Sequence, residues 1–196
     1  MIRTRTAYVI LGMLSIEPNR SGYDIRQAIE SSVGHFWGES YGQIYPTLKQ
    51  LTADGLIEAR EIGKQRRKEY TITQAGRECL REWLALPFQN DPPRNEFLLK
   101  LFFGLEAPAH VTTEHIRELQ RRNRQSLDTM LQIQELAPKV NAGNPHLPYW
   151  MLTLGLGIAM TRAALEWGEA ALTSLPPEAL GSDCRPETEE LTPTKA

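Results

Sequence analysis

Apolar and polar positions alternate with two periods along this chain, and the change of period marks out its elements. Residues 6–16 place Ala7, Ile10, Leu11 and Leu14 on one helical face. Ser21 with Asp24 three residues on resembles a capping box, and Ile25, Ala28, Ile29 and Val33 follow at 3–4 spacing to predict a second helix. The stretch SYGQIYPTLKQLTADGLI, Ser40 to Ile57, predicts a third. Ser40 with Gln43 reads as its S-x-x-Q cap, Ile44, Leu48 and Leu51 as its inner stripe, and Gly55 as its left-handed stop. The period then drops to two: LIEAREI and KEYTIT predict a pair of strands around the basic turn GKQRRK. Thr73 is placed to cap a fourth helix that buries Cys79, Leu80, Trp83 and Leu84.

Pro87, Pro92 and Pro93 mark a linker. Beyond it Phe97, Leu98, Leu101, Phe102 and Leu105 predict an apolar helix. A long segment over residues 113–137 follows, with Ile116, Leu119, Asn123, Ser126, Met130, Ile133 and Ala137 stepping by three and four as in a coiled-coil seam. Asn123 at a seam position would fix register at a cost in stability. A last apolar helix covers residues 149–175. The Pro- and Glu-rich remainder predicts a mobile tail.

The predicted organisation is therefore mainly α. A winged helix-turn-helix with a two-stranded β-wing occupies residues 1–86, an all-helical domain with a coiled-coil-like helix residues 94–176, and a tail residues 177–196. A winged helix-turn-helix is a frequent DNA-binding module. The seam, with an apolar last helix too large for one small subunit to bury, predicts a homodimer. Phe97, Leu101, Ile116, Leu119, Asn123, Met130, Ile133, Trp150, Leu156, Met160 and Trp167 are its candidate interface residues. Trp150, Met151, Met160 and Trp167 also suit an effector cavity, but such residues are more often dimer core.

Composition sharpens this only in places. Apolar residues make up 41% of the 196, enough for a core. The net charge of −2 carries no nucleic-acid signal, but it divides into +2 over residues 1–85 and −4 over residues 86–196, so a polyanion would meet the first half. The longest apolar run, from Leu147 to Thr161, is too short to span a bilayer, and the N-terminus has no small-residue cleavage site. These features predict a cytoplasmic protein. Cys79 and Cys184 suggest neither a disulfide framework nor a zinc site. His110 and His115 are five apart, one too many for a helical metal pair, so no metal or cofactor is expected. No phosphate loop, nucleophile elbow, H-E-x-x-H or C-x-x-C is present, which argues against an enzyme.

On a helical wheel Gly42, Gln43, Pro46, Lys49 and Gln50 point away from the core, with Tyr45 on the flank. A carboxylate-free outward face suits phosphates and base edges. It is equally what a plain solvated face would show. Pro46 lacks the N–H that would bond the Gly42 carbonyl. One reading is a stiff, bare first turn able to approach a phosphate; the other is a helix that starts later, near Gln43. Lys64, Arg66, Arg67 and Lys68 form a compact positive patch at the wing tip. A wing used purely for protein contact, the competing class, would not need four cations there. The basic run over residues 117–124 reads as a solvated face beside Glu114 and Glu118.

GQIYPTLKQL, the stop DGLI and the wing RRKEYTIT with Gly76 beyond it resemble the PadR family of transcriptional regulators over about residues 5–85. The C-terminal half resembles the larger helical dimerisation domain of the virulence-activator subgroup. This resemblance implies a homodimer on a palindromic promoter site in double-stranded DNA, often repressing, sometimes with a small-molecule inducer. By position it implies recognition-helix roles for Tyr41, Gly42, Gln43, Tyr45, Pro46 and Lys49, next to Ser40, and wing roles for Arg66, Arg67 and Lys68.

Overall fold

The computed structural model of the chain describes residues 4–37, 41–63, 67–89 and 94–175. It divides into two compact units, Met1–Asp91 and Pro92–Ala196.

In the first unit α1 (Arg5–Ile16), α2 (Gly22–Ser31) and α3 (Ile44–Ala53) pack around one core. Ile10, Leu11, Leu14, Ile25, Ile29, Ile44, Leu48, Leu51 and Ile57 are fully buried there. Each such side chain stabilises the fold by about 1.5–3 kcal/mol relative to exposure. The expected stripes of the three helices are thus the core. β2 (Ile57–Ile62) and β3 (Arg67–Ile72) form the wing as an antiparallel pair, from Ile57 opposite Ile72 to Ile62 opposite Arg67. A short β1 (Arg20–Ser21), which the sequence pattern did not suggest, adds to the other edge of β3 and gives the order β1-β3-β2. Two residues carry no readable period.

The helix ends follow local chemistry. Ser21 and Asp24 form a reciprocal capping box at α2. At the end of α3 the Leu56 N–H donates to the Leu51 carbonyl at 3.0 Å and the Gly55 N–H to Thr52 at 3.1 Å. This is a Schellman motif, and Gly55 has the φ of +70° that it requires. The Thr73 hydroxyl accepts from the Gly76 N–H at 3.1 Å and caps α4 (Gln74–Ala85). A β-carbon on Gly76 would stand 2.1 Å from the Leu56 carbonyl oxygen, so only glycine lets α4 lie on the start of the wing.

Three expectations need correction here. The third helix begins at Ile44, after a 3-10 turn over Tyr41–Gln43, and Gln43 makes no side-chain cap bond. The S-x-x-Q cap rests on Ser40, which lies outside the described residues. Val33 belongs to a separate 3-10 turn, Val33–His35. On α4, Leu84 is 66% exposed and Trp83 stacks on Tyr8 with ring centroids 4.5 Å apart, at the margin of the core. A single helix laid on a small core buries a narrower stripe than its apolar face offers.

The second unit contains α5 (Glu96–Phe102), α6 (Ala109–Val140) and α7 (Leu147–Ser174). α6 outruns the seam prediction at both ends and continues past Pro138 near its C-terminus. α7 folds back along it: a β-carbon on Gly157 would meet the Met130 sulfur at 3.1 Å, and one on Gly168 would meet Gln120 at 2.9 Å. The seam thus closes largely on its own chain. Ile116, 2% exposed, is buried within the unit and is not available to a second subunit, contrary to expectation. Thr113 and Gln120 are buried with it, whereas Ser126 faces solvent. The Asn123 amide nitrogen is buried with no hydrogen-bond partner among the described residues. Three-four spacing describes a stripe on a helix and says nothing of whose helix covers it. The expected tail lies outside the described residues.

Candidate nucleic-acid interface

The helix start explains Pro46. It is the third residue of α3, among the first four whose N–H groups have no partner within the helix. Its ring therefore removes no helical hydrogen bond, in line with the reading in which the helix starts late. The outward side chains then fall where the wheel placed them: Gly42, Gln43, Tyr45, Pro46, Lys49 and Gln50 are exposed. Gln50 lies along the helix surface and donates to Asp54 at 2.8 Å.

Tyr45 is 59% exposed, but one side of its ring rests on α2. A β-carbon on Gly22 would stand 2.7 Å from Tyr45 Cε1. Gly22 thus makes room for the ring, a role that its place next to the cap did not announce.

Among the wing cations, Lys64 and Arg66 lie outside the described residues, as does the side chain of Tyr41. Arg67 is committed within the fold. Its guanidinium donates to Asp24 at 2.5 Å and to the Ser21 hydroxyl at 3.2 Å. The wing is thereby tied to the capping box of α2. The Ser21 hydroxyl and N–H hold the Asp24 carboxyl below the usual carboxylate range, and Arg67 adds to the effect. Lys68 makes no ion pair among the described residues. Tyr70, two positions along on the same face of β3, is half-buried. Burial, and then the neighbouring Tyr45, push its phenol up, so it stays a hydroxyl donor. Tyr70 was not among the expected site residues, since a tyrosine next to the core end of a strand reads as packing.

In the second unit the expected interface residues divide. Leu156, Met160, Trp167 and Ile133 keep 64%, 65%, 42% and 39% exposure. Phe97, Leu101, Leu119, Asn123, Met130 and Trp150 are half-buried within their own chain, with Phe97 edge-on to Trp167 at 5.9 Å. The outer face of α7 also exposes Tyr149 and Leu152 at helical spacing with Leu156 and Met160. A cleft of about 410 Å³ opens elsewhere, lined by Leu99, Phe103, Val111 and His115 among others. On α6, Glu118 accepts from Arg121 and Arg122, which pull its carboxyl down to about 2, so this basic run is partly matched locally. Among the described residues no helix is long and apolar enough to cross a membrane, and no acidic, His or Cys cluster could hold a metal.

Three packed helices, the third facing outward, and a β-wing beside it define a winged helix-turn-helix. Residues 10–82 match the model of the transcriptional regulator PadR-like family, and residues 93–175 match that of the virulence activator alpha C-terminal domain. Residues 10–82 are thus a PadR-like transcriptional regulator domain and residues 93–175 a virulence activator alpha C-terminal domain. The chain is 40% identical over 101 residues to the negative transcriptional regulator PadR of Bacillus subtilis, which covers 49% of this chain and 54% of that protein. The chain spans about half the length of the curated relatives it matches. Crystal structures of Bacillus subtilis PadR align over 87% of this chain. The complex with operator DNA does so at TM-score 0.74 and 26% identity, covering 98% of that chain; the complex with p-coumaric acid at 0.70 and 27%, covering 99%. The Vibrio cholerae virulence activator AphA aligns over 87% of this chain and 97% of its own, at TM-score 0.66 and 28% identity.

Proposed function

We propose that this chain is a sequence-specific, DNA-binding repressor that acts as a homodimer on a pseudo-palindromic promoter site in the cytoplasm and is relieved by a small-molecule effector. The observation that carries the reading is the exposed, carboxylate-free face of Gly42, Gln43, Tyr45, Pro46 and Lys49 beside a cationic wing. In this reading Gln43 and Lys49 meet base edges, which carry sequence information. Tyr41 and Tyr45 grip the backbone, flanked by Ser40, and Lys64, Arg66 and Lys68 reach phosphates from the wing. Arg67, matched by Asp24, holds the wing in place. The exposed apolar face of α7 supports a dimer, and two copies of α3 would then enter major grooves about 34 Å apart or a multiple of it. The name of the Bacillus subtilis relative supports repression, and its complex with p-coumaric acid supports an effector.

The test is a gel shift with duplex from upstream of its own coding region, over a salt series and with Gln43→Ala. The variant should change base preference within each half-site by about 1–3 kcal/mol per lost bidentate pair. No shift at low salt would refute the reading and favour a winged helix used only for protein contact.

A further inference from the structure

Beside the outward face of α3 lies a cavity of about 640 Å³ between the start of α2, Tyr45 and β3. Its polar lining is unequal in donors and acceptors. The one carboxylate, Asp24, accepts from the Ser21 N–H, the Ser21 hydroxyl and Arg67, so its lone pairs are largely committed and its charge is matched. What remains open is the Tyr45 hydroxyl, the Tyr70 hydroxyl and the Lys68 ammonium, none with a hydrogen-bond partner or ion pair among the described residues, together with the proton of the Tyr23 hydroxyl, which accepts from Gln27. A complementary ligand must accept hydrogen bonds, carry about one negative charge, and reach an open cleft beside a recognition helix. A phosphodiester has two acceptor oxygens and a single charge, and DNA presents it along a ridge.

We propose that this cavity seats one phosphodiester of the DNA backbone, the Tyr45 and Tyr70 hydroxyls donating to its non-bridging oxygens and Lys68 matching its charge. The inference rests on the duplex-DNA reading and adds to it the phosphate that sets how α3 lies in the groove. Phosphate contacts fix register while base contacts select sequence.

The full chain and its Tyr70→Phe and Lys68→Gln variants are titrated with the bound duplex, one phosphate at a time replaced by neutral methylphosphonate. At one position per half-site the replacement should weaken wild-type binding about tenfold, the loss of a charge-assisted hydrogen bond. Tyr70→Phe should weaken binding to the ordinary duplex by a similar factor and lose less than the wild type on replacement at that position, where Tyr45 and Lys68 still act, while losing as much as the wild type at every other position. Lys68→Gln should flatten the log–log salt dependence by about 0.9 per subunit. Tyr70→Phe, which removes no charge, should leave that slope unchanged. Losses that multiply at every position, with wild-type binding intact, overturn the seat and leave DNA binding standing. Tight binding of inorganic phosphate alone, lost in Tyr70→Phe without coupling in the duplex, makes this a free-anion site and overturns it too. If the wild type binds no duplex, both readings fall.

Discussion

The ring of Tyr45 lies against the backbone of Gly22, with Cε1 2.7 Å from where a β-carbon would stand. A residue at the start of α3 is therefore placed by a gap at the start of α2. Leu48 lines the same gap, 3.3 Å away.

Gly22→Ala should leave the fold intact, because Tyr45 is exposed enough to swing outward. It should weaken duplex binding about as much as Tyr45→Phe does, since both remove one backbone contact while leaving base readers alone. Parallel binding isotherms of the two variants check this, and wild-type affinity for Gly22→Ala would show that the Tyr45 position is immaterial.

Asp24 should make stability fall in acid. Its folded carboxyl titrates below the ordinary value, chiefly through Ser21 and also through Arg67. A depressed folded pKa stabilises fully above the unfolded value, about 3.9, and the gain is lost as pH falls through the folded value. Melting temperatures of wild type and Asp24→Asn should run parallel well above the unfolded value, about 3.9, and converge as pH falls below it. Curves parallel throughout would mean that the bonds from Ser21 and Arg67 to Asp24 contribute no pH-dependent stability.

Pro46→Ala should lower stability by about 0.4–1 kcal/mol through the greater freedom of the unfolded chain, with helix content unchanged. Chemical denaturation measures it. A gain in stability would mean that the ring does cost α3 a hydrogen bond, against the helix start at Ile44.

Leu156→Glu with Met160→Glu should yield folded monomers. Both positions are more than half exposed and lie on the outer face of α7 with Tyr149 and Leu152. Buried in a dimer core, two carboxylates without partners would cost several kcal/mol. Sedimentation and far-ultraviolet circular dichroism decide it: a dimeric double variant would place the interface elsewhere, and a monomeric wild type would remove the dimer.

Local chemistry was legible in the sequence because it spans a few residues. The capping box of Ser21 and Asp24, the cap of Thr73, the Schellman stop at Gly55 and the period-two wing all depend on neighbours within one turn or one hairpin. The inward stripe of Ile44, Leu48 and Leu51 followed from helical spacing, and the outward face followed as its complement. What only the tertiary structure decided involves partners far apart in sequence. Arg67 looked like one wing cation among four until Asp24, 43 residues earlier, took its charge. Tyr70 was only a residue of a predicted strand until the fold brought it to the cavity that Tyr45 lines. Gly22 and Gly76 look like ordinary glycines until a ring and a carbonyl occupy the space of their missing side chains. The seam on α6 could not say whether its cover came from the same chain, since an apolar stripe is the same whichever helix meets it. Periodicity specifies which face is buried; only folding specifies what buries it.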